Sequence, residues 1–173
     1  MPRIAREIAD GLEAVATARH FFKADELEAG ELDLRLWKKL KASSPLLRTE
    51  MAEQLAPIPN APSHTIRALA CDQDPDIAGP VLERSSALPD VTIAEMARCK
   101  GDNHLVAIAA RPNLDPHITS ILTRRGSACV LSTLAANETA CFSSEGLQRM
   151  RRFRRRPTEP KRAKPSAGRI VAH

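Results

Sequence analysis

At 173 residues the chain is long enough for one domain with a real core, or one domain plus a tail. Its 43% hydrophobic content rests on Ala, Leu, Ile and Val. With Trp37, four Phe and no Tyr, it suits close helix–helix packing better than a strand-rich core. The net charge of +5 conceals an asymmetry: residues 149–173 hold ten of the 26 basic residues and one of the 21 acidic ones, so a body of net −4 carries a tail of net +9.

Ile4, Ile8, Leu12, Val15 and Phe22 fall on one helical face and predict an amphipathic helix over 3–24. Gly30 interrupts it, and Leu32, Leu36, Trp37 and Leu40 form a second stripe. Ser44-Pro45 then supplies a cap and a first-turn proline for a third helix carrying Leu47, Met51 and Leu55. Pro57, Pro59 and Pro62 stop that helix and make a stiff connector. The expected organisation is three N-terminal helices in 1–56, a Pro-rich connector at 57–63, helix-pair repeats in 64–148 and a basic tail from 149 to 173.

The repeats rest on three related strings: Ile66–Asp72, Leu105–Arg111 and Leu131–Asn137. Each reads large, any, small, large, Ala, small, polar. The first string leads through Asp74-Pro75 into a helix with Ile77, Val81 and Leu82 that ends at Arg84. The second leads through Asp115-Pro116 into a helix with Ile118, Ile121 and Leu122 that ends at Arg124-Arg125-Gly126. Between these pairs Ile93 and Met96-Ala97 predict a short extra helix, and the third string leads to a helix around Leu147. The spacing is irregular, 39 residues from Ile66 to Leu105 and 26 from Leu105 to Leu131. One such unit cannot bury its apolar face alone, whereas stacked units can. The fold class predicted is therefore all-α, an α-solenoid of stacked antiparallel helix pairs. Beyond Pro157 the Arg, Pro, Lys and Ala composition predicts a disordered basic tail. Two origins fit that composition, a genuine tail and a shifted reading frame in GC-rich coding DNA.

Four strings, Leu55–Pro62, Ile77–Ser85 (Ile-Ala-Gly-Pro-Val-Leu-Glu-Arg-Ser), His104–Pro112 and Leu131–Asn137, resemble the bacterial domain-of-unknown-function 2336 family over about residues 30–148. The resemblance implies a HEAT-like helical array. It implies no activity and carries over no catalytic residue.

The chemistry-bearing residues point the same way. Cys71, Cys99, Cys129 and Cys141 lie far apart without a C-x-x-C pair, which suits reduced thiols in the cytoplasm and no zinc site. Cys71 matches Ala110 and Ala136 in the strings, so a small packing role is expected for it. Asp72–Asp76 lacks the glycine and the distal glutamate of a calcium loop, and Asp74 is explained as a helix cap. No apolar run approaches the ~18 residues of a membrane span, and the first residues lack the apolar core of a signal peptide. No glycine-rich phosphate loop or G-x-S-x-G elbow is present, so no catalytic, cofactor or metal residue is assigned.

Two features remain as binding candidates. Arg84, Arg111, Arg124 and Arg125 lie at helix ends and could form a row that reads carboxylates or phosphates. The bland explanation is that cations favour helix C-termini. Arg151, Arg152, Arg154, Arg155 and Arg156 make the tail a candidate for nucleic acid, with Phe153 alone among them for base stacking. The leading expectation is a non-catalytic module that binds a protein partner. The alternatives are nucleic-acid association through the tail and an enzyme on a HEAT-like scaffold. The sequence leaves the oligomeric state open.

Overall fold

The computed structural model describes residues 26–155, with side chains from Gly30 onward. The helix expected over 3–24, Arg156 and the disorder expected beyond Pro157 lie outside the described residues. The described residues form nine helices and no strand: α1 (Glu26–Ala42), α2 (Pro45–Leu55), α3 (Ser63–Ala70), α4 (Pro75–Arg84), α5 (Asp90–Cys99), α6 (Asp102–Ala110), α7 (Pro116–Arg125), α8 (Ala128–Ala136) and α9 (Ser144–Arg154). Ser44, Asp74, Asp115 and Ser143 open α2, α4, α7 and α9 by accepting backbone N–H groups two or three residues on. Pro45, Pro75 and Pro116 fill first-turn positions, where a missing N–H costs nothing.

Short connections send consecutive helices back and forth between two layers. In one layer α2, α4, α6 and α8 pack side by side. In the other α1 packs on α3, and α5, α7 and α9 pack in succession. Side chains bridge α3 to α5, among them the Arg67–Glu95 ion pair at 3.6 Å.

The core between the layers is built from one recurring stripe at positions i, i+1, i+4 and i+5. On α4 it is Ile77, Ala78, Val81 and Leu82. It recurs as His104, Leu105, Ile108 and Ala109 on α6, and as Val130, Leu131, Leu134 and Ala135 on α8. In the opposite layer Thr65, Ile66, Leu69 and Ala70 on α3 recur as Thr92, Ile93, Met96 and Ala97 on α5, and as Ile118, Thr119, Leu122 and Thr123 on α7. Both series step by 27 and then 26 residues. All of these side chains are buried except Leu131 and Ala135, which are half-buried. Each fully buried Leu or Ile contributes about 1.5–3 kcal/mol.

Leu69, Ile108 and Leu134 are all fully buried, each at the third position of its own helix's stripe. The pairing differs from the sequence reading. Ile66 lies on α3 in one layer, while Leu105 and Leu131 lie on α6 and α8 in the other. The short helix expected near Ile93 is α5, a full member of the stack. The 39-residue gap is therefore one and a half repeats, and the true period is regular. Helix α9 runs across residue 148, so Arg149–Arg154 belong to the stack's last described helix.

Candidate functional site

The polar side chains that reach the interior mostly join helices to one another. Helix α3 starts after Pro62, which offers no side-chain cap. The cap comes from α1 instead. Asp33 is 3% exposed, and its carboxylate accepts the backbone N–H of His64 at 2.8 Å and of Thr65 at 2.9 Å, together with the Thr65 hydroxyl at 2.8 Å. His64 Nδ1 lies 2.9 Å from the same carboxylate, with the ring otherwise in solvent. Burial pushes the Asp33 carboxyl up, but the hydrogen bonds from His64 and Thr65 outweigh it and hold the group below its ordinary value. An Asp–His pair with an exposed ring could orient a base. Its oxygens are also occupied by two backbone N–H groups, which marks it as a cap supplied from another helix.

At the helix C-termini a second device recurs once per repeat. Lys100, at the end of α5, donates from Nζ to the carbonyls of Cys71 (2.6 Å) and Asp72 (2.8 Å) at the end of α3. Arg125, at the end of α7, donates to the carbonyls of Ala97 and Lys100 at the end of α5. In the other layer Arg111, after α6, donates to the carbonyls of Leu82 and Ser85 at the end of α4. Asn137, after α8, donates from Nδ2 to those of Ala109 (2.8 Å) and Arg111 (2.7 Å). Each strut satisfies carbonyls that a helix end leaves without an internal partner. Burial pulls the Arg111 guanidinium below its ordinary value, with the nearby Asp90 opposing the shift.

The four arginines singled out in the sequence therefore do not form one row. Arg84 and Arg111 close α4 and α6 in one layer, and Arg124 and Arg125 close α7 in the other. Arg84 pairs with Glu53 of α2, and Arg124 pairs with Glu145 of α9 at 3.1 Å. Arg151, Arg152, Arg154 and Arg155 cluster at the end of α9. Arg154 donates to the Ala135 carbonyl, while Arg151, Arg152 and Arg155 make no ion pair among the described residues. Lys100, Asn137 and Asp33 carried no signal in isolation. A donor placed just after each stripe, once per repeat, is the pattern that would have found the first two.

The two outer faces differ in chemistry. Along α3, α5, α7 and α9 the surface is charged and cross-linked between repeats by Arg67–Glu95 and Arg124–Glu145, with Arg98 Nη2 2.6 Å from His117 Nε2. Along the other layer charge thins out toward α8: Asp76 and Arg84 are exposed on α4 and Asp102 on α6, whereas the exposed Ala110 at the end of α6 and Ala128, Cys129, Ser132 and Ala136 on α8 carry none. Small hollows open between helix ends. One of about 420 Å³ is lined by Cys99, Lys100, Asp102 and His104, and one of about 430 Å³ by Arg84, Asp90, Arg111 and Asn113. Among the described residues no three His, Cys, Asp or Glu side chains could together hold a metal ion. All four cysteines are free and exposed. Cys71 is therefore not the small packing residue that the strings suggest: it follows the last residue of α3, past the buried stripe. No helix among the described residues is long and apolar enough to cross a membrane.

These features define an all-α helical-repeat protein. Residues 77–160 match the family described as "Uncharacterised protein conserved in bacteria (DUF2336)". The match starts inside α4, later than the resemblance from about residue 30 suggests, and runs past Leu147 to residue 160. No curated protein matches the chain, and no solved structure does.

Proposed function

We propose that this chain is a non-catalytic interaction module, a HEAT-like scaffold that holds a protein partner against one face of its stack, and we place it in the cytoplasm. The observation that supports this is a division of labour among its polar groups. Lys100, Arg111, Arg125, Asn137 and Asp33 are spent on joining one helix to another. That leaves the exposed, uncharged side chains at the end of α6 and along α8, Ala110, Ser132 and Ala136, outside the joints between helices. Such a surface varies without disturbing the core. The full chain, immobilised and washed at physiological salt, is expected to retain a specific partner that Ala110→Glu or Ser132→Glu releases. Retention of nothing, or of the same partner undiminished by both substitutions, refutes the reading.

A second reading, nucleic-acid association, is favoured by the arginines at 149, 151, 152, 154 and 155 and by the basic residues C-terminal to them. Contacts of this kind are electrostatic and salt-sensitive. Gel shifts across a salt series, comparing the full chain with a version carrying Glu at 151, 152 and 155, separate the two. Equal weak binding by both removes this reading. An enzyme on the same scaffold is a third reading, for which no catalytic group is assigned.

A further inference from the structure

We infer that the end of the stack formed by α8 and α9 is a docking groove for an acidic amphipathic helix of a partner protein, seated where the next helix of the first layer would lie. The inference rests on the interaction-module reading and adds to the outer face of α6 and α8 a second contact surface, continuous with it at the end of the stack, together with the partner's chemistry.

The repeat register identifies the groove. The second and fourth positions of each stripe are covered by the following repeat. Ala78 and Leu82 on α4, and Leu105 and Ala109 on α6, are at most 1% exposed. Their counterparts on α8, Leu131 and Ala135, are only half-buried. In the other layer Thr119 and Thr123 on α7 are buried, yet the matching residues on α9, Leu147 and Arg151, are exposed, Leu147 by 43%. Thus the same two positions are closed on α3 to α7 and open at α8 and α9. A helix laid there would find Leu131, Ala135 and Leu147 beneath it, as α6 finds Ala78 and Leu82.

Charge decides the occupant. Helix α8 carries no charged residue, whereas α9 borders the groove with Arg151 and Arg155, neither ion-paired among the described residues. Residues 156–173 add five basic residues against Glu159 alone, so this segment would set positive charge against positive. A second copy meeting the first end to end through this face would do the same. A partner helix with glutamates flanking its apolar stripe meets complementary charge.

The test uses the full chain and a synthetic helix of about 15 residues, bridged because shorter helices are marginal in water. The helix carries Leu and Ala at i, i+1, i+4 and i+5 and Glu elsewhere, and its binding is read by fluorescence anisotropy. The full chain should bind it. Leu147→Asp and Arg151→Glu should each weaken binding by at least about tenfold while leaving the helical circular dichroism melt unchanged. A peptide with Lys in place of Glu should bind the wild type poorly and Arg151→Glu better. No binding of the Glu peptide, or binding indifferent to both substitutions, overturns the inference. It is also overturned if duplex DNA binds this face indifferently to Leu147→Asp and displaces the peptide. Sedimentation showing a dimer that Leu147→Asp dissolves assigns the groove to a second copy instead. A partner retained by the full chain but untouched by Leu147→Asp sinks this inference and leaves the interaction-module reading standing.

Discussion

Asp33 does for α3, from 31 residues away, what Ser44 and Asp74 do locally for α2 and α4. Removing it strips a cap and leaves the fully buried Thr65 hydroxyl with a single long contact to the Asp33 carbonyl, at 3.3 Å. Asp33→Ala should therefore cost about 2–3 kcal/mol, read from urea denaturation. The same carboxylate makes stability depend on pH. Its folded-state value lies below the unfolded value of about 3.9. The stabilisation is complete above that unfolded value and is lost as pH falls through the lower folded-state value. The gap between wild type and Asp33→Asn should be widest near neutrality and should narrow as pH falls below the unfolded value. A gap that stays constant over that range would show that the carboxylate is not bonded as described. In the sequence Asp33 is one member of an acidic stretch. Nothing local marks it, because its partners sit across a proline connector.

At the scale of the helix, stability depends on junctions. Lys100→Met keeps the buried stem and removes the donor to two carbonyls. It should cost about 2 kcal/mol and speed amide exchange at the end of α3 more than elsewhere. Gly126 connects α7 to α8 in a space with no room for a side chain. An added Cβ would lie 2.6 Å from Val130 Cγ1 and 2.7 Å from the Leu122 carbonyl oxygen. Val130 is fully buried, so Gly126→Ala should lower stability by about 1–3 kcal/mol in the same denaturation assay. The elements themselves were legible in the sequence. Caps at Ser44, Asp74 and Asp115 and the apolar stripes located most helices. Layer membership was not legible, because α3 and α6 bury the same i, i+1, i+4, i+5 stripe and the strings around Ile66 and Leu105 look alike. The struts were hidden for a related reason. A basic residue at a helix end is expected from the helix dipole alone, so Lys100 carries no signal and Arg125 reads as a ligand-binding candidate rather than as a strut.

Across the whole molecule each repeat touches mainly its neighbours, so the energetics should be close to additive. Lys100→Met and Asn137→Ala act at different junctions, α3–α5 and α6–α8. Their combined loss should equal the sum of the single losses to within about 0.5 kcal/mol. A larger discrepancy would mean that the stack responds as one rigid body. The candidate surfaces were only partly legible. The arginines at 151, 152, 154 and 155 stand out in any reading, but their relation to the open stripe of α8 and α9 needs the register that coordinates supply. The struts also impose an order in time. Lys100 emerges from a ribosome 28 residues after Asp72, and Asn137 emerges 26 residues after Arg111. The ends of α3 to α6 in the nascent chain thus wait with open carbonyls until synthesis delivers the fastening, so their closure follows the direction of translation.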